Sequence, residues 1–102
     1  MADREWSENA SADNAIATAT HAAVTGKQYR ITNIQASFST APTAPALIQV
    51  KDGTTVIWTT YVHNDFSHVF DPPIPGSRGA AVSAELSAGS GASAVAINGD
   101  TF

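Results

Sequence analysis

Along most of this chain, apolar and small polar side chains alternate in short runs broken by Gly, Pro, Asn and Asp. A period of two is the signature of a half-buried strand. From residue 15, AIATATHAAV sets Ile16, Thr18, Thr20, Ala22 and Val24 against Ala15, Ala17, Ala19, His21 and Ala23. The alanines would also permit a helix, but the β-branched residues of the first set favour a strand. Thr25-Gly26-Lys27 supplies a turn, and KQYRITNIQASFS predicts a long strand with a break. Tyr29 and Ile31 share one face there, while Ile34, Ala36 and Phe38 share the other. An apolar set that changes face mid-strand requires a bulge or corner, placed near Asn33.

TAPTAPA, residues 40–46, reads as a proline-spaced loop or edge, because proline donates nothing to a ladder. In LIQVKDGTTVIWTTYV two β-branched and aromatic runs flank Asp52-Gly53, a strong hairpin signal. Its second run puts Val56, Trp58, Thr60 and Val62 on one face and Ile57, Thr59 and Tyr61 on the other. Large groups on both faces predict a central strand, or one with a face covered by another chain. HNDF reads as a polar turn, SHVF as a short strand and DPPIPG as a rigid loop opened by Asp71. AAVSAELSA turns Val82, Ala84 and Leu86 inward and Ser83, Glu85 and Ser87 outward. A Gly-Ser hairpin then leads to a last strand, ASAVAING, running on to Phe102. These elements predict an all-β fold, a single antiparallel β-sandwich or jelly-roll-like domain of about seven to eight short strands; a small barrel also fits.

Residues 1–13 break the pattern. Asp3, Arg4, Glu5, Glu8 and Asp13 crowd into them, with Trp6 as the one large apolar side chain besides Met1. The expectation is an extended N-terminal arm followed by a sandwich domain over residues 14–102. The arm would be a loose terminus, a strap that docks Trp6 on a neighbour, or a short helix.

Composition narrows the partners. Charged residues make up 14% of the 102, against about 25% in ordinary domains. Net charge is −4 and the five basic residues form no run, which argues against a nucleic-acid binder. No apolar run approaches the ~20 residues of a membrane span, and the N-terminus lacks a signal peptide's apolar core. The expectation is a soluble chain made in the cytoplasm. With no cysteine there is neither a disulfide nor a thiolate metal site. Ala, Ser and Thr fill roughly two-fifths of the chain, giving a weakly hydrated surface that suits packing against other protein.

Reactive constellations are sparse. His63, Asp65 and His68 fall close enough to raise a metal site, but around a turn and at no established ligand spacing. No G-x-S-x-G elbow occurs, and the glycines precede no helix that would make a phosphate loop. Asp52, Asp65, Asp71 and Glu85 sit at turn or outward positions rather than as an acid–base pair. We therefore expect no enzyme, no catalytic residue, no metal and no cofactor. Trp58, Tyr61, Phe66 and Phe70 would serve as core and rim, or as a sugar-stacking platform. Protein-interface candidates are Arg4 and Trp6 in the arm, and Phe66, Ile74 and Arg78 on loops.

The proline-glycine loop, the small-residue strand A-x-V-x-A-x-L, the Gly/Ser turn and the terminal Ala/Val strand ending in I-N-G, within residues 70–102, resemble small accessory virion proteins of tailed bacteriophages. Head-decoration, or cement, proteins are among these. The resemblance implies a structural protein that binds the outer capsid surface and stabilises the head, located in the virion. It implies the major capsid protein or another virion protein as partner, and a homo-oligomer, dimer or trimer. No residue role transfers with it. A tail or fibre component and a small carbohydrate-binding module are the competing expectations.

Overall fold

A computed structural model describes residues 5–40, 42–87 and 91–101. Eight strands account for most of them: β1 (Glu5–Asp13), β2 (Ala17–His21), β3 (Tyr29–Phe38), β4 (Ala46–Asp52), β5 (Thr55–Val62), β6 (Phe66–Pro75), β7 (Val82–Leu86) and β8 (Ala92–Thr101). They form two four-stranded antiparallel sheets, ordered β1-β8-β3-β6 and β2-β7-β4-β5. The β4–β5 hairpin stays within one sheet, while the other successive strands change sheet. The all-β sandwich expected from the alternation is thus the observed architecture.

The core is the set of inward positions between the sheets. Ile31, Ile34, Ile48, Val50, Val82, Val95, Leu86 and Ile97 are its largest fully buried side chains. Burying each contributes roughly 1.5–3 kcal/mol of transfer free energy. The bulge expected near Asn33 is present: the register of β3 slips between Ile31 and Asn33 against both β6 and β8. Its consequence is packing. With the extra residue, Ile31 and Ile34 both reach the core with no exposure, although their odd spacing would separate them on a regular strand. In β7, Val82, Ala84 and Leu86 point inward as their alternation predicts.

The Asp52-Gly53 signal gives a tight hairpin, one residue further on. Asp52 pairs with Thr55, so Gly53 and Thr54 form the loop, with Gly53 at φ 62°. Asp52 is held in the strand by its carboxylate, which accepts from Ser77 N at 3.1 Å and from Ser77 Oγ at 2.6 Å.

Several expectations are corrected. Residues 5–13 are not a loose extension: they make β1, paired in continuous register with β8 from Glu5–Asp100 to Asp13–Ala92. Their charges lie mainly on the outward side, while Trp6, Ala10 and Ala12 pack against the core. β5 is an edge strand, not a central one, although it carries large apolar groups on both faces. The DPPIP segment is strand, not loop. It forms the second half of β6, at a sheet edge where proline's missing donor leaves no ladder bond broken. The final Gly-Ser connection is no hairpin, because β7 and β8 belong to different sheets. Ala88–Ser90 of that connection, Phe102 and Arg4 lie outside the described residues.

Candidate functional site

The two sheets leave two long seams, one between edge strands β1 and β2 and one between edge strands β5 and β6. Each is closed by a tryptophan stacked on a histidine. In the β1/β2 seam, the rings of Trp6 and His21 lie 4.2 Å apart and almost parallel, at 6°. Tyr29 meets both edge-on, at 5.7 Å and 4.4 Å. Tyr29 is buried, and its hydroxyl donates to Ala22 O at 2.9 Å. His21 Nδ1 donates to Glu8 Oε2 at 2.8 Å, tying the two edge strands together.

Backbone makes room for this arrangement. Trp6 pairs directly with Gly99 across β1 and β8, and its ring occupies the space a side chain there would need. A Cβ on Gly99 would fall 2.5 Å from the Trp6 ring and would collide with the Arg30 carbonyl. Further along the seam, Ala10 and Ala12 of β1 and Ala17 and Ala19 of β2 pack on the core. Small residues on both edges let the strands converge, which explains why the alanines of β2 point inward while Thr18 and Thr20 face solvent.

The β5/β6 seam holds Trp58, Phe66, His68 and Phe70. Trp58 stacks on His68 at 5.4 Å and 21°, and on Phe66 at 6.4 Å and 30°. Phe70, the one buried member, meets Trp58 edge-on at 5.1 Å. Among the described residues no carboxylate is paired with this cluster. His68 remains exposed, and Phe66 and Trp58 are half-buried.

A third feature is the outer face of the β1-β8-β3-β6 sheet. Asn9, Gln35, Ser37, Ser67, Ala94 and Ala96 line a shallow depression of about 410 Å³. A second, of about 510 Å³, adjoins it along the same strands, between Ser7, Asn33, Asn98 and Asp100. Asn98 Nδ2 donates to Asn33 Oδ1 at 2.5 Å in its floor. Charge lies at the two ends: Asp65 borders the first depression, and at the far end Glu5 lies beside Asp100, which Arg30 meets in a two-pronged pair at 2.9 and 3.0 Å. The floor between them is alanine, hydroxyl and amide: uncharged and of low relief.

The residues proposed for partner contact are dispersed. Trp6 is engaged with His21, Tyr29 and Gly99 rather than presented to solvent. Its distant pairing partner explains why the sequence suggests a free anchor. Phe66 does not project from a polar turn; it opens β6 and turns its ring into the seam. Ile74 pairs with Ile31 and packs half-buried on the core. Arg78 is exposed and donates from Nη1 to Gly26 O at 2.8 Å, clasping two loops. The sugar-platform set divides as well, since Phe70 is buried and Trp58 faces the seam, while Tyr61 is 68% exposed. Among the described residues, no group of three or more His, Asp or Glu side chains is placed to hold a metal ion. His68 is stacked on Trp58, and Asp65 accepts from Phe38 N at 3.2 Å. The sequence does not mark Asn9, Gln35 and Asn98 as site residues, and it marks Asn33 only as the place of a bulge. Polar residues at alternate positions look like ordinary solvent-facing sites until the sheet order places them side by side.

No family model matches the chain, and the search of curated proteins finds no match. Among solved structures, it is similar to the crystal structure of Aeromonas hydrophila PliG, a periplasmic lysozyme inhibitor of g-type lysozyme. Identity is 9%, coverage 97% of this chain and 87% of that one, and the TM-score 0.47.

Proposed function

We propose that the chain is a structural binding protein of a tailed-phage particle, seated on the outer surface of the capsid as a decoration or cement protein. The observation that carries this reading is the outer face of the β1-β8-β3-β6 sheet. Ala94 and Ala96 run along its centre, flanked by Asn9, Gln35, Ser37 and Ser67. Such a face admits close backbone approach along its alanines, and its amides and hydroxyls can exchange water for hydrogen bonds to a partner, both of which suit packing on a large protein surface. Many copies on one shell make a modest interface effective through multivalency. The major capsid protein is the proposed partner and the virion the proposed location.

The test is a mass-spectrometric inventory of purified particles, beside the heat and low-salt resistance of particles assembled without this chain. The expected result is a high copy number, matching a shell rather than a tail, and earlier disruption of the particles that lack it. Equal resistance would overturn the reading, and a copy number of a few would move the protein to the tail.

A further inference from the structure

A two-sheet sandwich has four edge strands, and each edge presents unpaired backbone groups able to accept another strand. Three of the four are guarded here. β1 carries Glu5, Glu8 and Asp13. β2 is only five residues long, and β6 carries Asp71, Pro72, Pro73 and Pro75. β5 is the exception: eight residues, TVIWTTYV, with no charge, no proline and no glycine. Among the described residues no strand flanks its outer side, and no backbone hydrogen bond outside the sheet reaches it. It also bears two of the exposed large apolar side chains, Val56 at 43% and Tyr61 at 68% exposure.

We propose that β5 is the self-association edge of this protein, pairing antiparallel with β5 of a second copy to join two four-stranded sheets into one of eight strands. The occupant follows from composition. In a two-fold contact the residue on the axis meets its own copy and the others meet their mirror positions, so a charge at or near the axis would lie close to its own kind. A strand free of charge over its whole length avoids that repulsion and offers no charge by which a partner of different sequence would be selected. Centred on Thr59, the pairing sets Thr59 opposite Thr59, Trp58 opposite Thr60 and Ile57 opposite Tyr61. The last is an aromatic–β-branched pair of the kind that stabilises sheets. Such a contact would also account for large apolar groups on both faces of an edge strand. The proposal stands apart from the head-decoration reading, since neither requires the other.

Sedimentation velocity on the full chain tests it. The wild type is expected at twice the 10.5 kDa of one chain. Thr59→Lys and Tyr61→Lys, both at exposed positions, should raise the dissociation constant at least about tenfold with an unchanged circular dichroism spectrum. Val69→Lys, at an exposed position of β6, should leave the dimer intact. Mixing the Thr59→Lys variant with the Thr59→Glu variant should restore it, because opposite charges then meet across the two-fold. A wild type that stays monomeric to roughly 100 µM, a trimer, or a dimer indifferent to both lysine substitutions would overturn the proposal.

Discussion

The two seams of the sandwich solve one problem with different means. Each must close the gap where two sheets diverge, and each does so with a tryptophan stacked on a histidine. In the β1/β2 seam the stack is locked on several sides: Trp6 fills the space over Gly99, Tyr29 is buried behind it, and Glu8 anchors His21. In the β5/β6 seam the rings stack on one another, His68 is exposed, and among the described residues no ion pair joins the cluster. The first seam also draws its strands together with alanines, whereas the second is filled by bulk. The fold thus seals one flank tightly and leaves the other more open, on the side where the unguarded strand β5 lies.

The largest expected effect lies at Gly99. Gly99→Ala should cost about 3 kcal/mol, since the new methyl displaces Trp6 and collides with backbone that cannot retreat. Urea unfolding followed by circular dichroism would measure it, and a loss under about 1 kcal/mol would mean Trp6 is not seated there. Trp6→Ala should follow at about 2 kcal/mol, less than for a fully buried ring because Trp6 is half-buried. Phe66→Ala, in the opposite seam, should cost about 1 kcal/mol, because Trp58 and Phe70 can relax into the space.

The histidines sharpen the contrast at smaller scale. His21→Ala should cost about 1 kcal/mol, removing a stack, an edge contact and the bond to Glu8. His68→Ala should cost under about 0.5 kcal/mol, as expected of an exposed ring. Equal losses at the two sites would dissolve the distinction between the seams. Because each seam holds one of the two tryptophans, Trp6→Phe and Trp58→Phe leave one fluorescent reporter apiece. Both variants should unfold in a single transition, coincident with circular dichroism, because one core joins the seams. A fluorescence transition preceding the loss of secondary structure in the Trp6→Phe variant would show the β5/β6 flank opening by itself.

Much of this architecture is legible along the chain, and the parts that are not share a cause. The hairpin after Asp52, the bulge near Asn33 and the inward set Val82, Ala84 and Leu86 are local: each depends on a few neighbouring side chains and the pleat. β1 escapes the sequence reading because its alternation rests on Trp6, Ala10 and Ala12 among acids and amides, and the strand that stabilises it lies at the other end of the chain. Pro72, Pro73 and Pro75 read as a loop because proline forbids a central strand, yet an edge strand tolerates them. Of the candidate site, the neutral small-residue character was visible in composition. The assembly of Asn9, Gln35, Ser37, Ala94 and Ala96 on one face was not, since it depends on β1, β8 and β3 lying side by side.

By itself the sequence determined the β class, the positions of the main turns, the inward parity of the later strands and the scarcity of charge. These follow from side-chain periodicity and turn chemistry, which act over a few residues. Tertiary structure alone decided which strands became edges, which flank each tryptophan closed, and which polar residues came to share a face. Those outcomes rest on pairings between distant segments, Trp6 with Gly99 above all, and no local pattern encodes which distant partner a strand will find. The same holds for β5: its residues spell an uncharged, two-sided strand, but only the sheet order leaves its outer side unpaired.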